Sequence, residues 1–194
     1  MTMSTKTVTT TALLTALICV ASPFSVYIGP IPLSFCSLAV YIAAGLTGKR
    51  LSAIAVTAYV VLGAIGVPVF AGFMGGFGRI VGPTGGFIIG YIPCAFVVGL
   101  VRDGLRGRAW SYPVAMVAGT IVLYALGTAW YVFQSGVDVA AALAACVLPF
   151  LPGDALKIAA ASVLCVRLRP LVRRYLTRPA PQREEKKETH EEKK

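Results

Sequence analysis

An acid and a base three residues apart, Asp154 and Lys157, lie inside the apolar run from Ala140 to Val166. An ionised side chain in such a run costs about 3 kcal/mol on membrane-insertion scales. A spacing of three places both groups on one face of a helix. There they can satisfy each other as an ion pair that closes a helix kink, or offer an acceptor and a cationic donor to a ligand. The preceding stretch, Leu148-Pro149-Phe150-Leu151-Pro152-Gly153, favours the ligand. Its prolines remove backbone hydrogen bonds, and the groups thereby freed are tolerated in a bilayer only where they face protein or a wet cavity.

A second cation, Arg79, stands in a stretch that holds Gly72, Gly75, Gly76, Gly78, Gly82, Gly85 and Gly86. Glycine density of this kind allows tight turns and close approach of backbone to a ligand; an ordinary exposed loop arginine is the equal alternative. Lys157 and Arg79 would supply positive charge to a carboxylate, and Asp154 would accept N–H groups from a neutral head. The three residues suit a small molecule with an acid at one end and an amide-like donor at the other.

The elements that must carry these residues follow from composition. In 194 residues, 57% are hydrophobic and 13% charged, with a mean hydropathy of +0.77, whereas a soluble domain is about a quarter charged. Runs near the ~20 residues that a bilayer demands occur at about 7–24, 31–48, 51–66, 85–101, 110–134 and 139–166. The sequence predicts an all-α integral membrane protein of six transmembrane helices, with a glycine-rich outer loop between the third and fourth. Residues 1–178 form one domain, and 179–194 a charged, disordered cytoplasmic tail.

The net charge of +10 suggests nucleic acid until its location is considered. From Pro179 onward five acids cancel five bases, so thirteen bases face three acids in the rest of the chain. Eleven of the thirteen precede the first run, follow the even-numbered runs or lie in the segment after the last. That alternation is the positive-inside pattern, with both termini cytoplasmic; nucleic acid is not an expected partner. A cleaved signal peptide at Lys6 to Ala21 is the competing reading of the first run.

Enzyme chemistry finds little support. The single histidine, His190, is in the tail, so an intramembrane Ser-His dyad or a zinc helix is excluded, and no phosphate-binding P-loop is present. The five cysteines contain no C-x-x-C pair and read as packing residues. No metal or cofactor is expected.

The segments Gly63-Ala64-Ile65-Gly66-Val67-Pro68-Val69-Phe70, Gly75-Gly76-Phe77 and Gly82-Pro83-Thr84-Gly85-Gly86-Phe87, followed by Gly90-Tyr91, together with Asp154-Ala155-Leu156-Lys157, resemble the signature of the BioY family. These are biotin-binding S components of energy-coupling factor transporters. The resemblance covers roughly residues 7–170. It implies biotin uptake from the outer face of a bacterial inner membrane, and as partners a transmembrane coupling subunit of the EcfT type, ATP-binding-cassette ATPases and membrane lipids.

Carried over residue by residue, the resemblance implies a biotin site at Asp154 and Lys157; Arg79, Gly75, Gly76, Thr84, Tyr41 and Phe35 are the further candidate lining residues. Biotin's valerate carboxylate and ureido N–H groups agree with the shape read from the charges. The family's small-x-x-x-small motif on the first helix maps onto Ala12 and Ala16 and implies docking on the coupling subunit; small residues four apart let backbones approach closely. Gly82, Gly86 and Gly90 share that spacing and read as packing between spans. Where many relatives have Thr-x-Gln after the first outer Pro-x-Pro, this chain has Ser34-Phe35-Cys36-Ser37. An S component for another vitamin is the alternative within the same fold.

Overall fold

The computed structural model describes residues 5–27, 31–105 and 107–177. The tail expected at 179–194 and the bases Arg106 and Arg178 lie outside the described residues. The elements are α1 (Thr5–Ala21), β1 (Ser25–Tyr27), β2 (Pro32–Ser34), α2 (Cys36–Thr47), α3 (Lys49–Ala64), α4 (Phe77–Val81), α5 (Gly85–Gly104), α6 (Ser111–Ser135), α7 (Val139–Cys146) and α8 (Leu151–Thr177). Each apolar run of the sequence corresponds to a helix, the last one to the pair α7 and α8.

By length and apolarity, α5 and α6 are able to cross a membrane alone, and α7 with α8 up to Val172 qualifies as one span bent by 49°. Pro149 lies in the four-residue gap between those two helices and Pro152 at the second position of α8, where its missing N–H costs nothing. Helices α1 and α2 are apolar but shorter. At a rise of 1.5 Å per residue, α2 is about 18 Å long and α3 about 24 Å, less than the hydrocarbon thickness. The first outer connection holds a feature absent from the all-helical expectation, a short antiparallel hairpin that pairs Ser25 with Ser34 and Val26 with Leu33.

The bundle packs through small residues. α5 and α6 form the most extensive pair, and a Cβ added at Gly86 would lie 2.2 Å from the Trp130 side chain, one at Gly90 3.2 Å from Leu123. Gly82 precedes α5, and its carbonyl accepts a 3.0 Å bond from the Trp130 indole. On α1 the threonines make a polar sequence compatible with lipid: Thr9, Thr10, Thr11 and Thr15 each donate to the carbonyl four residues back. Thr15 also reaches Ala55 O on α3. All five cysteines are free thiols.

Between α3 and α5 the chain is held by backbone rather than side chains. Gly76 N donates to Gly63 O at 2.7 Å, Gly72 N to Pro23 O at 2.9 Å, and Phe70 and Met74 form an isolated bridge. Gly75 packs so closely on Val67 O that an added Cβ would sit 2.4 Å away, and Gly76 has φ +98°. At these two positions only glycine fits without strain.

Candidate functional site

The break between α7 and α8 sets Asp154 in the first turn of α8, where the aligned peptide dipoles favour an anion. One turn later Lys157 projects from the same face. Its ammonium donates to Ser34 O at 2.8 Å, Ser37 Oγ at 3.1 Å and Asp154 Oδ1 at 3.1 Å. Ser37 in turn donates to Asp154 Oδ1 at 3.4 Å, and the Tyr124 phenol donates to Asp154 Oδ2 at 2.6 Å. The hairpin, α2, α6 and α8 therefore converge on two charges that are 6% and 9% exposed.

Counting donors and acceptors shows what this network leaves open. An ammonium has three N–H donors, and all three of Lys157's are engaged. A carboxylate has about four lone-pair positions; two of those on Oδ1 are taken and one on Oδ2. Asp154 thus keeps one acceptor position, while the lysine can meet a ligand only by exchanging a partner.

The pair borders an interior cavity of about 130 Å³, where one water needs about 10–15 Å³ on the same measure. The space suits a small molecule rather than a single solvent. Its roof comes from Ile31 to Ser34 of the hairpin segment and from Phe70, Ala71, Arg79 and Thr84 of the α3–α5 connection. Tyr59, Phe87, Tyr91 and Leu123 supply apolar and aromatic walls. Tyr59 is fixed by a 2.7 Å bond to Ser22 and an edge-on contact with Phe70, ring centroids 5.6 Å apart. No buried polar side chain of the cavity lacks a partner among the described residues.

Of the residues singled out in the sequence, Asp154, Lys157, Arg79 and Thr84 line this one cavity. Arg79, on α4, has no side-chain partner among the described residues, so its guanidinium is open to a ligand anion. Gly75 and Gly76 shape the connection that carries Arg79 and do not themselves line the cavity. Tyr41 is fully buried one turn deeper than Ser37 on α2 and bonds Thr120 on α6 at 2.6 Å. Phe35 is 49% exposed, whereas its neighbours Ser34, Cys36 and Ser37 face the cavity. Ser37 and Tyr124, the closest partners of the charged pair, are polar residues inside apolar runs, and that is the signal that would have found them. Ala12 and Ala16 are exposed on α1, in an apolar groove shared with Ile54, Ala58 and Leu62 of α3.

The sequence pattern of the BioY family matches residues 1–174. The chain belongs to the BioY family. The protein named Biotin transporter BioY from Thermotoga maritima is 40% identical over 158 residues, which cover 81% of this chain and 92% of that one. Probable biotin transporter BioY from Pyrococcus horikoshii is 39% identical over 166 residues, covering 86% and 98%. A crystal structure of the S-component for biotin from an ECF-type ABC transporter matches with a TM-score of 0.79 at 28% identity, over 87% of this chain and 95% of that chain. The protein is a membrane protein of that fold, and its family is one of transporters rather than enzymes.

Proposed function

We propose that this protein takes up biotin as the substrate-binding S component of an ECF-type transporter, with the cavity beside Asp154 and Lys157 as the biotin site. The observation that carries the proposal is a buried acid with one unused acceptor position, in a cavity whose roof holds an arginine without a side-chain partner among the described residues. Asp154 accepts a ureido N–H, and Lys157 exchanges one of its three partners for the ureido oxygen. The aromatic walls take the fused rings, and Arg79 pairs with the valerate carboxylate. Names of relatives support biotin in particular, since the geometry alone accepts any molecule with an N–H-bearing head and an acid tail.

In this reading the chain spans the membrane six times with both termini in the cytoplasm, residues 1–178 forming one domain. α1, α2 and α3 serve as spans despite their length, because a bilayer thins locally around short helices at modest cost. The cavity then opens outward and the arginine-rich end faces inward. Ala12 and Ala16 dock on a transmembrane coupling subunit, and associated ATPases drive reorientation. The chain itself makes and breaks no covalent bond in this cycle.

Thermal unfolding of the detergent-solubilised protein against a vitamin panel tests the assignment. Biotin should raise Tm, and riboflavin and thiamine should not. A shift with another vitamin and none with biotin would transfer the fold to a different ligand.

A further inference from the structure

At the end of the bundle opposite the biotin cavity, the α5–α6 turn and the last third of α8 border a second, open concavity of about 540 Å³. Its floor includes Tyr112 of α6, and Arg169 and Arg174 of α8 stand beside the apolar side chains of Val166 and Leu171. Nothing in the transport reading uses this place.

Arg169 is held in position. Its guanidinium donates to Gly107 O across the turn, and Gly107, at φ +57°, lies so close that a side chain there would collide with it. A guanidinium has five N–H donors, so most of its capacity remains available. Arg174 is exposed on the next turn and a half of the helix. Tyr112 adds an independent sign of an occupant: the residue is 2% exposed, yet its hydroxyl has no hydrogen-bond partner among the described residues. A buried hydroxyl left unpaired is costly, and a ligand oxygen that reached it would relieve that cost.

We propose that this concavity binds the headgroup of an anionic phospholipid. The phosphate meets Arg169 and Arg174, a headgroup or ester oxygen approaches Tyr112, and the acyl chain leaves along Val166 and Leu171. The apolar wall next to the two cations distinguishes a lipid from a free anion, which would gain nothing from Val166 or Leu171. Basic pockets between helices at the membrane–water boundary bind anionic headgroups for the same reason. Trp110, 52% exposed beside the turn, is of the residue type enriched at membrane–water boundaries.

The test is native mass spectrometry of the full-length protein titrated with dioleoylphosphatidylglycerol or dioleoylphosphatidylcholine, beside thermal unfolding with each lipid and with inorganic phosphate alone. The wild type should retain phosphatidylglycerol at least tenfold more tightly than phosphatidylcholine, and phosphate alone should not raise Tm. R169Q/R174Q should lose that preference while its biotin affinity stays at the wild-type value, which also shows that it folds. If the double variant does not fold, R174Q alone, changed at an exposed position, should still lose severalfold. Y112F should be at least as stable as wild type in lipid-free detergent but gain less from phosphatidylglycerol. Equal retention of the two lipids, an undiminished preference in the arginine variant, or stabilisation by phosphate as large as that by lipid would each overturn the proposal.

Discussion

Replacing Asp154 by Asn keeps the shape of the side chain but replaces two acceptor oxygens with one acceptor and one NH2 donor. In the protein, Tyr124 donates to Oδ2 at 2.6 Å and Lys157 and Ser37 donate to Oδ1. Whichever way the amide turns, its NH2 confronts a donor or takes the remaining acceptor position from the ligand. The lost bond is one to a charged group, about 1.5–3 kcal/mol. At tenfold per 1.4 kcal/mol the Kd for biotin should rise roughly 10- to 150-fold.

Stability should fall as well. Breaking a buried pair costs about 3–5 kcal/mol; because Lys157 keeps Ser34 O and Ser37 Oγ, the lower end is expected. The double variant Asp154→Asn/Lys157→Met removes the stranded charge, so it should regain stability without regaining affinity. Isothermal titration together with thermal unfolding separates the two effects. An Asp154→Asn variant that binds biotin within about twofold of wild type, with only stability reduced, would reduce the pair to a structural ion pair and refute the reasoning.

Arg79→Gln should weaken biotin severalfold to tenfold but leave the affinity for a biotin amide without the free carboxylate nearly unchanged, as titration with both ligands would show. Gly75→Ala forces a Cβ to within 2.4 Å of Val67 O; overpacking of this kind costs about 1–3 kcal/mol, visible as a lower Tm and, through displacement of Arg79, as weaker biotin binding. Ala12→Leu or Ala16→Leu adds bulk on an exposed groove, so biotin binding by the purified protein should be unaltered while uptake by the assembled transporter falls. Unchanged uptake would remove the docking role.

Much of the candidate site is legible because charge in an apolar run is conspicuous. Two charges in an apolar run, placed after two prolines, mark Asp154 and Lys157 without structural help, and the same prolines mark the α7–α8 break. Arg79 and Thr84 stand in a glycine-rich segment that reads as loop, although Arg79 falls on the short helix α4 within it. What sequence could not provide is which face of each element looks inward. Helix α2 begins at Cys36, so Phe35 turns outward while Cys36 and Ser37 turn toward the cavity. Tyr41 lies on the same face as Ser37 but a turn deeper, where Thr120 occupies it. Tyr124 depends on how α6 meets α8, a contact between residues 30 positions apart. The hairpin leaves no signature in the sequence, because three-residue strands are too short to set a pattern.

The central claim is that the acid at the start of α8 receives the ureido head of biotin. A structure of the protein with biotin bound tests it most directly: a ureido nitrogen should lie about 2.7–3.2 Å from an Asp154 carboxylate oxygen, with the valerate carboxylate toward Arg79. Biotin bound elsewhere, with Asp154 and Lys157 paired as before and no ligand atom in their cavity, would contradict the account.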